Sequence, residues 1–195
     1  MPVLVIMDIE GGTVEQYDHV DRLVGGTTAD NAPAGLISHT AGPTDTGFFV
    51  ADVWESPEAL QDFYENHLAG ALKEAGVPEV QPQIMPVHNH LEGRGSTAGV
   101  IVIAEIPGLS AEDYDRITAD LEAHSGDGSR HPGVSHVAGA HGAGLVVVDV
   151  WGSEEEFGAY AQAELAPRAG DRFAEMKTRF AKVRNHVQVK SPAKA

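Results

Sequence analysis

The sequence predicts an α+β chain made of two tandem βαββαβ repeats, and three observations carry that reading. Residues 38–56, "SHTAGPTDTGFFVADVWES", return 97 residues later as "SHVAGAHGAGLVVVDVWGS". At that fixed offset the halves align without a gap to Leu68 and Leu165, with matches including Val5/Val102, Tyr17/Tyr114, Asp18/Asp115, His39/His136, Asp52/Asp149 and Trp54/Trp151. After one deletion "HNHL" meets "RNHV", which pairs Asn89 with Asn185 and His90 with His186. The period is far longer than that of solenoid repeats, so each copy is expected to be a small domain.

The elements follow in order. An apolar run at residues 3–9, matched by 100–106, reads as the first strand. Thr13 and Gln16 form a capping-box pattern ahead of a helix with Val14, Tyr17, Val20 and Val24 on one face, and Ser110 and Asp113 do the same for Tyr114 and Ile117. Polar loops, "GGTTADNAPA" and "HSGDGSRHPG", lead into a hairpin whose strands, 36–41 and 47–54, flank the turn-rich "GPTDTG". Ser56 before Pro57 is an N-cap with proline at the first helical position, and Ser153 with Glu156 starts the matching helix. That second helix carries Leu60, Phe63 and His67, or Phe157, Tyr160 and Leu165. Residues 83–91 and 180–189 are the closing strands. This order is that of a ferredoxin-like unit, whose sheet has helices on one face only. A second sheet must cover the other face, so the tandem copies are expected to form an intramolecular pseudo-dimeric α/β barrel. Repeat 1 is residues 1–91, a linker is 92–98, repeat 2 is 99–190 and a tail is 191–195.

Composition excludes several classes. With no cysteine there is no disulfide, no thiolate nucleophile and no thiolate metal site. The net charge of −16 opposes binding to a nucleic-acid backbone. The apolar start, "MPVLVIMDIEGG", has no basic flank and ends at Asp8, and no segment approaches membrane-spanning length, so a cytoplasmic protein without nucleic-acid or membrane partners is expected. Walker loops, dinucleotide fingerprints and zinc-helix motifs do not occur.

The "DVWES" segment, a strand ending in Val-Trp-Glu-Ser with the serine capping a helix, resembles the dimeric α/β-barrel superfamily in a βαββαβ context, especially antibiotic-biosynthesis-monooxygenase-type domains. The resemblance covers both halves. It implies ligands held between sheet and helices or in the barrel, and activities that include cofactor-independent oxygenation of aromatic polyketides, isomerisation and haem degradation. The haem-degrading branch uses an asparagine on the first strand and a tryptophan on the second helix; here Met7 and Asp8, or Ala104 and Glu105, and Phe63 or Tyr160 stand near those places.

Candidate catalytic residues are His39, Asp52, His88, His136 and Asp149. His39 and Asp52, like His136 and Asp149, face each other across the hairpin if the turn register is right; a one-residue slip would put Ser38 opposite Asp52 instead. A His–Asp pair sets the tautomer and makes the imidazole a base, or serves only as a structural hydrogen bond. Asp8 and Glu105, at the first strand's end, are expected on the same side as these aspartates, where two carboxylates would raise one pKa. Candidate ligand-binding residues are Trp54, His67, His90, Trp151, Arg184 and His186. His88 and His90 form an H-x-H pair, but Arg184 replaces one in the second copy, so polar cavity lining is favoured and no metal is expected. The expected function is binding of a small hydrophobic or aromatic molecule, with cofactor-independent monooxygenation or isomerisation of an aromatic, polyketide-like substrate. The alternatives are haem binding or degradation through His67, His39 or His88, and a non-catalytic carrier or structural barrel. Divergence at His88/Arg184 and His67/Glu164 points to one specialised cavity, expected in the first copy, and a homodimer of such chains is a further expectation.

Overall fold

A computed structural model describes residues 1–125 and 131–189; part of the loop "HSGDGSRHPG" and the tail 191–195 lie outside these. The described residues form a mixed α+β fold with nine strands, and the chain divides into two compact units. Unit 1 contains residues 1–87 and 181–189, and unit 2 contains residues 88–180.

In unit 1, β1 (Val3–Glu10) leads to α1 (Val14–Leu23), the hairpin β2 (Leu36–Pro43) and β3 (Gly47–Trp54), then α2 (Pro57–Phe63). A π-helical stretch, Tyr64–Leu68, continues α2 directly into α3 (Ala69–Glu74). The strand β4 (Gln83–Glu92) follows. Thr13 closes its capping box with Gln16, and Ser56 accepts from Ala59 N. In unit 2, β5 (Val100–Ile106), α4 (Ala111–Ser125), β6 (Ser135–His141), β7 (Gly144–Trp151) and α5 (Glu154–Tyr160) repeat the order. A second π-helical stretch, Ala161–Leu165, runs into α6 (Ala166–Ala169), and α7 (Asp171–Glu175) precedes β8 (Lys177–Lys182).

The closing strands behave differently from a simple reading of the two halves. The unit boundary falls at residue 87/88, inside β4, rather than in the expected linker. The segment expected as one strand, 180–189, is interrupted after Lys182 and resumes as β9 (Asn185–Gln188), which belongs to unit 1. There it pairs with β2, from Ser38↔Gln188 to Ala41↔Asn185. Unit 1 thus has the strand order β4-β1-β3-β2-β9, and unit 2 has β8-β5-β7-β6 with the last residues of β4 beyond β6. In this way the end of each half's last strand supplies an edge to the unit built mainly from the other half.

Register fixes the faces. Val5 lies opposite Asp52 on β3, and Asp8 opposite Phe49. Directly paired residues share a face, and alternate residues switch. Val3, Val5, Met7 and Ile9 therefore share the helix-side face with Asp52, whereas Asp8 lies on the other face. Glu105, opposite Val146, stands in the same relation to Asp149, opposite Val102. Asp8 and Glu105 are exposed, and the expected carboxylate pairs do not form. Both faces of the central strands are buried: every residue from Phe48 to Trp54 and from Leu145 to Trp151 is buried. Their near-continuous apolar run reflects this two-sided burial.

Candidate functional site

The turn register places His39 opposite Asp52 and His136 opposite Asp149. In unit 1 His39 Nδ1 lies 2.7 Å from Asp52 Oδ1, and His39 Nε2 lies 2.8 Å from the Tyr17 hydroxyl. In unit 2 His136 Nδ1 is 2.6 Å from Asp149 Oδ1, and its Nε2 is 2.5 Å from the Tyr114 hydroxyl. The tautomer follows from the partners. A carboxylate can only accept, so Nδ1–H donates to the aspartate and Nε2 accepts the tyrosine proton. An asparagine amide then donates to each tyrosine oxygen: Asn185 Nδ2 to Tyr17 at 3.1 Å, and Asn89 Nδ2 to Tyr114 at 2.9 Å. Each unit therefore holds an Asn–Tyr–His–Asp chain running from sheet edge to helix and back to the sheet.

Tyr17, Tyr114, Asn89 and Asn185 were not among the expected site residues, although all four match between the halves as His39 and Asp52 do. The tyrosines read as packing residues on an amphipathic helix. The asparagines sit between histidines in "HNH" and "RNH", where the histidines draw the chemical reading.

The surroundings set the protonation states. Burial pushes both Tyr17 and Tyr114 well above the usual phenol range, against the amide hydrogen bonds of Asn185 and Asn89 that lower them. Burial alone would raise the Asp149 carboxyl, but its interactions with the neighbouring His136 and His131 rings, including the His136 hydrogen bond, hold it below the ordinary range. The Trp151 indole N–H lies near this carboxylate without reaching hydrogen-bond geometry.

The two units differ in what the relay faces. In unit 1 the cavity between sheet and helices is about 80 Å³, lined by Met7, Tyr17, His39, Phe48, Asp52 and Leu72 among others. In unit 2 it is about 400 Å³, with Ala104 and Ala169 standing where unit 1 has Met7 and Leu72. Phe48, stacked on Tyr17 with ring centroids 4.8 Å apart, is replaced by Leu145. Smaller side chains at these positions leave space in the second cavity, whose volume falls in the range of small-molecule sites. The larger cavity is therefore in the second unit, whereas the sequence placed the specialised one in the first. Two further side chains mark it. His131, at the position matching Ala34, and Tyr160, matching Phe63, both line the cavity, and burial raises the Tyr160 phenol to about 12.

The other expected site residues lie elsewhere. His67 is exposed and lines neither cavity. The π-helical stretch inserts one extra residue into the turn, so Leu68 and Leu72 follow Phe63 on the cavity face and His67 rotates off it. The spacing Tyr160–Leu165 in the second half shows the same five-residue step. Arg184 is exposed and grips Asp18 in a two-pronged pair, at 3.0 Å from Nε and 2.9 Å from Nη2. Its counterpart His88 contacts the matching Asp115 at 2.7 Å. Both pairs join the closing segments to a helix and lie outside the cavities. His186 pairs with Thr40 and donates or accepts at its hydroxyl at 2.8 Å, on the sheet face opposite His39. Burial, followed by the nearby His39, lowers its pKa to about 4. His90 is half-buried and lines neither cavity. Trp54 lines the small cavity at 1% exposure, and Trp151 packs in the core against Val100, Val102 and Phe157. Of the histidines expected as haem ligands in that alternative, His39 has both ring nitrogens hydrogen-bonded, His67 is exposed and His88 meets Asp115.

Among the described residues no helix is long and apolar enough to cross a membrane. No family model and no curated protein matches the chain. Solved structures do share its fold. Two proteins named "putative monooxygenase" are similar. The one from Lactobacillus acidophilus NCFM is 10% identical with a TM-score of 0.69, covering 98% of both chains. The one from Fusobacterium nucleatum subsp. nucleatum ATCC 25586 is 12% identical at 0.70, covering 98% of this chain and 96% of that one. An anthrone oxidase-like protein is 16% identical at 0.57, covering 96% and 93%. At these identities the likeness concerns the fold.

Proposed function

We propose that the cavity of unit 2 binds a small, largely apolar aromatic molecule carrying a phenolic or enolic group, and that the Tyr114–His136–Asp149 chain removes its acidic proton. One observation carries this reading: a hydrogen-bond relay with a fixed tautomer opens on an apolar cavity of about 400 Å³. The substrate proton passes to the Tyr114 oxygen as the Tyr114 hydroxyl proton moves to His136 Nε2, and Asp149 stabilises the imidazolium. Asn89 donates to the same oxygen and steadies it while charge develops. The electron-rich substrate anion then reacts with dioxygen or rearranges. The names of the structural neighbours, two called "putative monooxygenase" and one called anthrone oxidase-like, favour the first course, within a pair of tandem ferredoxin-like, antibiotic-biosynthesis-monooxygenase-type repeats.

The test is a panel of phenolic and enolic aromatics, read by binding, dioxygen uptake and product analysis. His136→Ala should lower turnover by roughly 10²–10⁴-fold, the usual contribution of a positioned base. Turnover that is unchanged in this variant sinks the proposal. A haemin titration belongs beside it: a shifted Soret band at one equivalent, with no turnover of any phenol, would favour the haem alternative. Refilling the cavity is a separate check. Ala104→Met with Ala169→Leu restores the side chains of unit 1 and should abolish ligand binding, seen by calorimetry, while the relay stays in place.

A further inference from the structure

The most unusual group outside the relay is His131. Its side chain is 8% exposed, and its Nε2 is buried without a hydrogen-bond partner, 3.8 Å from Asp149 Oδ1. Burial pushes its pKa down to about 4, so it is neutral at pH 7, with Asp149 and His136 acting as smaller, opposed influences. Leaving an imidazole nitrogen unpaired in the interior forfeits its hydration without a replacement hydrogen bond. A group that persists at that cost invites a ligand. A ring nitrogen of His131, a ring nitrogen of His136 and a carboxylate oxygen of Asp149 all lie within 4.8 Å of one another. Two neutral imidazoles and a carboxylate on one side, with an open cavity on the other, are a donor set suited to zinc, iron(II) or cobalt(II).

We propose that His131, His136 and Asp149 bind one divalent transition-metal ion in unit 2. Bonds of about 2.0–2.2 Å in a tetrahedral arrangement require ligand atoms roughly 3.3 Å apart. The His131–Asp149 distance of 3.8 Å must shrink by a few tenths of an ångström, and the His136–Asp149 distance of 2.6 Å must open by a similar amount. Metal binding at Nδ1 requires a lone pair there, so the single proton of the neutral His136 ring moves from Nδ1 to Nε2. Nε2 then donates to Tyr114 instead of accepting from it. The metal consequently turns the relay off. It acts as an occupant competing with the proton, so the site goes beyond the base proposed above and is tested without any substrate. Unit 1 supplies an internal control: it keeps His39 and Asp52 but has Ala34 at the matching position.

The experiment is a cobalt(II) titration of the chelator-treated full chain, followed through the visible d–d bands, with zinc added last as competitor. The expected result is one equivalent bound, with bands in the intensity range of four- or five-coordinate cobalt and displacement by zinc. His131→Ala should weaken binding at least tenfold, and His39→Ala should leave it unchanged. Asp149→Asn, which keeps the side-chain shape, should weaken it as well, with circular dichroism confirming that each variant is folded. Absence of a saturable band at one equivalent, or a band that survives in folded His131→Ala, overturns the site. Either failure leaves the base reading of unit 2 standing, because that reading is measured with substrate and without metal.

Discussion

Asp149→Ala should destabilise the chain by about 3–5 kcal/mol, the largest loss expected from a single substitution here. The carboxylate is 7% exposed and accepts from His136 at 2.6 Å, with His131 at 3.8 Å and the Trp151 indole close by. Alanine leaves His136 Nδ1–H without its acceptor in an interior that gives no compensation, and it removes the charge that orders these rings. For a chain of this length each kcal/mol moves the melting temperature by roughly 2–4 °C, so a fall on the order of 10 °C is expected in calorimetry. Asp149→Asn should cost less, since its carbonyl still accepts from Nδ1–H. Equal losses for alanine and asparagine would show that packing, and not the hydrogen bond, is what Asp149 contributes.

Acidification should destabilise the fold well before the carboxylates titrate. His131 and His186 each have an unfolded value near 6.5 and a folded value near 4, both lowered chiefly by burial. Between those values the unfolded chain binds protons that the folded chain refuses, so stability falls as pH drops through this window. The full contribution is present above pH 6.5. Two and a half units correspond to on the order of 3 kcal/mol per histidine by pH 4. Denaturant unfolding at pH 7, 5.5 and 4.5 measures it. His131→Gln and His186→Gln should each flatten part of the slope, and a stability that stays level from pH 7 to 4.5 would contradict the buried, neutral state of both rings.

The repeat made much of the fold legible. Strand and helix order and the caps at Thr13, Ser56 and Ser153 were readable, because duplicated residues mark positions that tolerate little change, whereas the pairing of His39 with Asp52 was one of two registers the sequence allowed. The asparagines and tyrosines of the relay carried the same mark but were overshadowed by chemically louder neighbours. Three things were not readable. The π-helical step that turns His67 outward changes the helical period by one residue, which a 3.6-residue pattern cannot register. The burial of both sheet faces hid the fact that Asp8 and Asp52 point to opposite sides. Cavity size depended on small exchanges, Met7 to Ala104 and Leu72 to Ala169, whose sum is visible only once the side chains are placed together.

The exchange of closing strands has a hereditary consequence. Asn185, encoded in the second half, completes the relay of unit 1, and Asn89, encoded in the first half, completes that of unit 2. A gene cut at its midpoint would yield two products, each lacking an edge strand and an amide. Neither half can therefore be lost while the other is kept. The first half is thus retained with its small cavity because the strand that closes it also builds the edge of the larger one.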